Sequence, residues 1–129
     1  MLHSVLRLGD EGATTGVILL HGLGADSSDL APVVPHLRRP DLLVVLPTAP
    51  VRRVTINGGY PMPAWYDITS MDRSDPRRED PDHIRDAADA VAELMATEGP
   101  TRWVLAGFSQ GGAIALHLGW RHPETLLGV

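Results

Sequence analysis

At 129 residues the chain is long enough for one domain with one core, taken here as residues 1–129. Apolar residues make up 43% and charged residues 21%, the balance of an ordinary soluble globular protein. The net charge of −5 argues against nucleic-acid binding, which needs a basic face, and leaves Arg52-Arg53 and Arg77-Arg78 as solvated surface.

There is no cysteine, which excludes disulfides, thiolate catalysis and cysteine-bound zinc. The first residues, Met1-Leu-His-Ser-Val-Leu-Arg7, lack the pattern of a secretory signal. No apolar run is long enough for stable membrane insertion, so a cytoplasmic address is the default expectation.

In chain order, Ser4-Val-Leu-Arg-Leu8 reads as a weak edge strand. Val17-Ile-Leu-Leu20 is a short continuous apolar run closed by His21-Gly22, which suits a strand buried on both faces. Asp26 or Ser28 can then cap a helix through Leu30, Val33, Val34 and Leu37, made irregular by Pro32 and Pro35. Leu42-Leu-Val-Val-Leu46 repeats the buried-strand signature and stops at Pro47.

The stretch from Val51 to Met71 breaks the alternation of strand and helix. Val54-Thr-Ile56, Asn57-Gly58-Gly59 and Tyr60 read as a short hairpin, in a long excursion that carries Trp65 and both tyrosines. A helix follows over Asp80 to Thr97. Asp80 can cap it, Pro81 suits its first position, and Ile84, Ala87, Ala88, Val91, Leu94 and Met95 form one apolar stripe. Trp103-Val-Leu-Ala106 is the third buried strand, and a helix from near Ser109 runs to His122-Pro123. Strands alternating with helices imply right-handed crossovers and a mainly parallel sheet, an α/β fold.

Gly107-Phe108-Ser109-Gln110-Gly111 sits between the third buried strand and the helix after it. This is the context of a nucleophile elbow, in which a sharp strained turn lifts a serine hydroxyl above the sheet. Glycine on either side removes β-carbons that would collide in so tight a turn. The helix amides point at the reaction centre and help to hold a developing oxyanion.

His21-Gly-Leu-Gly-Ala-Asp26 follows the first buried strand, where this fold draws its second oxyanion amide. The two donors are assigned to the backbone amides of Leu23 and Gln110, whose side chains then matter less than their placement. A dinucleotide fingerprint is the competing reading of Gly22-x-Gly24. It fails at its third glycine, where the chain has Ser27. His21 is expected to be a hydrogen-bonded structural residue rather than a general base.

Taken together, these stretches resemble the carboxylesterase/phospholipase family of α/β-hydrolases that includes acyl-protein thioesterases. The resemblance rests on His21–Asp26, Leu46-Pro47 with Ala49-Pro50, Val54–Tyr60, Ala64-Trp-Tyr-Asp67 and Leu105–His117, all in the family's order. It implies hydrolysis of a small-molecule ester substrate with a short acyl chain, extending to thioesters or lysophospholipids, with no metal and no cofactor. It also implies Ser109 as nucleophile and Leu23 and Gln110 as oxyanion donors. Trp65 would line the acyl pocket, with Tyr66 near it; plain core packing is an equal reading of Trp65. Asp67 looks structural.

The family's triad aspartate and histidine follow the elbow, and nothing after Ser109 in this sequence matches them. The expectation is therefore an N-terminal portion of the fold, with its last strands and helices and the triad Asp and His not present in the chain. His117 is eight residues beyond Ser109 on the same helix, about 12 Å of rise, and cannot reach the hydroxyl. Two functional readings stay open. One is a carboxylesterase working through an acyl-enzyme on Ser109. The other is a non-catalytic truncated chain or binding module that keeps the pocket. A further expectation is that Trp103–Ala106 forms an exposed apolar edge, inviting a homo-oligomer or a complementing piece.

Overall fold

The computed structural model describes residues 2–129. The three apolar runs become the parallel strands β2 (Thr15–Leu20), β3 (Leu43–Pro47) and β6 (Arg102–Gly107). The weak edge segment becomes β1 (Val5–Gly9), antiparallel to β3. With β7 (Leu126–Gly128), the sheet order is β1-β3-β2-β6-β7.

Strand β3 shows why these runs are apolar throughout rather than alternating. Leu43 and Val45 join the core on one face, with Ile18, Leu20, Leu105, Ile114 and Leu118. Val44 and Leu46 join Val17 and Leu42 on the other, where Leu30, Ala31 and Val34 pack. Side chains alternate across a strand, so two covered faces demand apolar residues at every position.

Helix α1 (Pro81–Thr97) starts as its sequence dictates. The Asp80 carboxylate accepts from the amides of Asp82 and His83, and Ala87, Ala88 and Val91 are buried. Helix α2 (Gln110–Arg121) buries Ile114, Ala115 and Leu118 and packs against α1. The segment expected as a helix after Ser28 is instead a 3-10 helix, Ala31–Leu37. Pro32 and Pro35 each lack the amide that an α-helical ladder would use. Asp26 and Ser28 do not cap it. The Ser28 amide and hydroxyl donate to Asp26 at 2.8 and 2.6 Å, closing a turn of their own.

The excursion is the antiparallel hairpin of β4 (Val51–Val54) and β5 (Tyr60–Pro63), joined through a 3-10 turn at Thr55–Asn57. The exposed-edge expectation needs correction. Leu126–Gly128 adds to β6 in parallel, with Trp103 opposite Leu126 and Val104 opposite Gly128. The short connection His122–Thr125 suffices to turn the chain back, so the start of β6 is covered. The open edge is β7 itself, together with the last residues of β6.

Candidate active site

Ser109 lies between the end of β6 and the first residue of α2, with φ 54° and ψ −117°. A non-glycine residue held at positive φ costs on the order of 1–3 kcal/mol and persists only where its surroundings enforce it. Here they do. Phe108 donates its amide to the Leu20 carbonyl of β2 at 3.0 Å, and Gly111 donates to Phe108 at 3.0 Å. A β-carbon on Gly107 would come within 3.0 Å of the Gly111 and Gly112 backbone, and one on Gly111 within 3.0 Å of the Leu20 and His21 carbonyl oxygens. The two glycines let helix, turn and strand close on each other, and the serine absorbs the remaining bend.

Ser109 opens on a cavity of about 370 Å³ lined by His21, Gly22, Leu23, Ala25, Asp29, Leu30, Phe108 and Ser109. The loop that follows β2 and the elbow thus share one space. Among the described residues, the amides of Leu23 and Gln110 donate to no protein acceptor. Gln110 opens a helix, where the first amides have no carbonyl in a preceding turn. The neighbouring loop amides are committed: Gly24 donates to Pro63 at 2.9 Å and Ala25 to Gly22 at 3.2 Å. Cavities of about 350 and 470 Å³ elsewhere do not touch Ser109.

Trp65 and Tyr66 do not line the Ser109 cavity. Both rings belong to the main core, and Trp65 is fully buried. The Trp65 indole N–H donates to the His21 carbonyl at 2.9 Å, and its ring lies 5.2 Å from the His21 ring. Burial, with Glu79 nearby, pushes the Tyr66 phenol up to about 12. The apolar walls beside Ser109 are Leu23, Ala25, Leu30 and Phe108 instead. The position of Phe108, between the elbow's first glycine and the serine, is the one sequence signal that marks it.

The Gln110 side chain has a role that reading it as a backbone donor misses. It is buried, its Oε1 accepts from the Trp65 amide at 2.6 Å, and its Nε2 donates to the Tyr66 carbonyl at 2.8 Å. No periodicity or motif reveals this, because the partner lies 45 residues away.

Of the histidines, His21 lines the cavity, and both its ring nitrogens are committed. Nε2 accepts from the Ala49 amide at 2.9 Å, which leaves the proton on Nδ1, where it is donated to the Gly22 carbonyl at 2.7 Å. The ring is the structural residue its sequence position suggests. Asp67 accepts from the amide and hydroxyl of Thr55 at 2.8 and 2.6 Å and closes the hairpin. Burial pushes its carboxyl up, but the Thr55 hydroxyl and amide, the Ile68 amide and the nearby His83 together outweigh that and hold it below the usual carboxylate range. The hydrogen bonds from the Ser28 hydroxyl and amide likewise hold Asp26 low. Both carboxylates serve turns.

A mostly parallel sheet flanked by helices, with a strained serine at a strand-to-helix elbow, is the architecture of an α/β-hydrolase. The phospholipase/carboxylesterase family profile matches residues 3–129, and the chain belongs to that family. It is 36% identical over 133 residues to acyl-protein thioesterase 1 of Mycosarcoma maydis, covering 90% of this chain and 55% of that protein. It is 35% identical over 136 residues to acyl-protein thioesterase 1 of Schizosaccharomyces pombe, covering 99% and 59%. The crystal structure of Zea mays acyl-protein thioesterase 2 superposes with a TM-score of 0.79 at 28% identity, covering 90% of this chain and 50% of that one. The chain thus spans little more than half the length of the curated relatives it matches.

Proposed function

We propose that the protein is a serine hydrolase of short-chain carboxylic esters, including thioesters, that works through an acyl-enzyme on Ser109. The Ser109 oxygen attacks the substrate carbonyl carbon, and the carbonyl oxygen becomes an oxyanion held by the Leu23 and Gln110 amides. The serine proton passes to a general base and on to the alcohol or thiol that leaves. Water then cleaves the acyl–serine bond and restores the hydroxyl.

The observation that carries this reading is the strained Ser109, opening on a cavity it shares with an oxyanion loop whose Leu23 amide has no protein acceptor. The relatives named acyl-protein thioesterase support the substrate class. Because His21 is fully engaged, the imidazole and its partner carboxylate are proposed to come from polypeptide other than these 129 residues. Without them the chain keeps the slow rate that oxyanion stabilisation alone sustains.

Hydrolysis of a short-chain nitrophenyl ester by the chain and by Ser109→Ala tests the proposal. A rate above that of the variant is expected; equal rates would overturn the catalytic reading of this chain.

A further inference from the structure

Two loops from distant parts of the chain must stay in register for an oxyanion hole to work. Donors act at about 2.7–3.1 Å from the forming oxyanion, and a shift on the order of 1 Å costs roughly 100-fold in rate. The Leu23 amide follows β2, the Gln110 amide follows β6, and no direct hydrogen bond joins the two residues among those described.

A circuit of hydrogen bonds runs from Gln110 to His21, two residues before Leu23. From Gln110, the side-chain amide grips both sides of the aromatic loop, accepting from the Trp65 amide and donating to the Tyr66 carbonyl. The Trp65 indole then donates to the His21 carbonyl, two residues before Leu23. His21 in turn donates to Gly22 and accepts from Ala49 beyond β3. Every polar atom in this circuit is buried and paired, the condition under which such networks fix one geometry.

The first link has a narrow chemical requirement. One side chain must accept from an N–H and donate to a C=O at the same time. A glutamine amide does both, whereas an ionised glutamate can only accept, and methionine cannot donate and accepts only weakly.

We infer that the Gln110 side chain is a positioning residue: through the Trp65–Tyr66 backbone and His21 it holds the Leu23 and Gln110 amides in one fixed arrangement. The inference rests on the acyl-enzyme reading and adds to it a role for a side chain that the backbone-donor assignment leaves idle.

Two variants test it. Gln110→Met keeps the length and removes both bonds. Gln110→Glu restores them only while its carboxyl is protonated, since the acid can accept and donate as the amide does. The carboxyl has an ordinary pKa of about 4.3, raised by burial. Ester hydrolysis by each variant is measured from about pH 5 to about pH 9, with circular dichroism confirming folding.

Gln110→Met is expected to lose about 10- to 100-fold in kcat with KM little changed, because an oxyanion contact exists only in the transition state. Gln110→Glu should approach the parent at low pH and fall towards Gln110→Met as the carboxyl ionises, a step absent from the parent. A rise in KM with kcat unchanged, or no step in Gln110→Glu, would overturn the inference.

Amide NMR of the same variants separates this outcome from failure of the acyl-enzyme reading. If Ser109→Ala hydrolyses ester as fast as the parent, that reading fails, and the circuit is judged by its spectrum alone. Ionising Glu in Gln110→Glu should then still shift the Leu23 amide resonance and leave amides of α1 in place. An unmoved Leu23 resonance would overturn the circuit.

Discussion

Gly111 and Gly112 are adjacent in α2, and replacing each by alanine separates the packing of the elbow from its helix propensity. At Gly111 the new β-carbon would come within 3.0 Å of the Leu20 oxygen, the His21 oxygen and the Leu20 carbon. These are backbone atoms of and beside a central strand, bonded on both sides, so the helix start has to move instead. Overpacking of this kind costs about 3 kcal/mol, against which alanine returns roughly 1 kcal/mol of helix propensity. The net loss of about 2 kcal/mol is a large part of a typical domain's stability. At Gly112 the nearest atom is the Gly107 oxygen at 3.2 Å, a crowding that a few tenths of an ångström relieves. There the propensity gain offsets the crowding, and the net change stays within about 1 kcal/mol. Urea unfolding followed by circular dichroism reads both. With a slope of roughly 1–3 kcal/mol per molar, Gly111→Ala should lower the midpoint by about 1 M and Gly112→Ala far less. Equal midpoints, or a larger loss at Gly112, would refute the close approach of α2 to β2.

The Asp67 carboxyl lies below its usual range, so it adds stability above its unfolded pKa of about 3.9 that is lost as pH falls through its folded value. Asp67→Ala should therefore melt lower than the parent at neutral pH, with the gap narrowing below about pH 4; a gap independent of pH would contradict the role given to Thr55. Tyr66 should ionise near pH 12 in an ultraviolet titration, a step that Tyr66→Phe removes. Its raised pKa means that the unfolded chain loses the proton first, so Tyr66 lowers stability as pH rises above about 10. If Tyr66→Phe instead removes amplitude near pH 10 and none near pH 12, the ring is not buried. The open edge of β7 and the exposed Leu116 and Trp120 on α2, the latter 90% accessible, should promote self-association. Light scattering is expected to show mass rising with concentration, and a clean monomer at high concentration would refute it.

The strands of the main sheet were legible because a strand buried on both faces has no polar positions to blur its ends, as in Leu43–Pro47. Helix α1 was legible for a second reason, since Asp80 and Pro81 mark its start and Gly99-Pro100 follow its end. The 3-10 geometry at Ala31–Leu37 was hidden, because two prolines forbid a regular α-helix without specifying what replaces it. Pairing of Leu126–Gly128 with β6 was hidden too. Three residues carry almost no periodicity, so nothing in their pattern marks them as a strand. The strand-to-helix turn at Ser109 and the loop after β2 could be placed from glycine spacing and strand context. The Gln110–Trp65–His21 circuit could not, because hydrogen bonds between distant segments leave no spacing in the sequence. Trp65 shows the same limit: the family resemblance leaves pocket wall and core packing as equal readings, and only the packed fold puts its ring in the core.

The most direct test of the central claim is the site of covalent modification by a serine-reactive fluorophosphonate. A single adduct is expected on the peptide containing Ser109, with fluoride as leaving group, formed slowly because the general base lies outside these 129 residues, and none in Ser109→Ala. An adduct spread over other serines, or one that persists in Ser109→Ala, would contradict it.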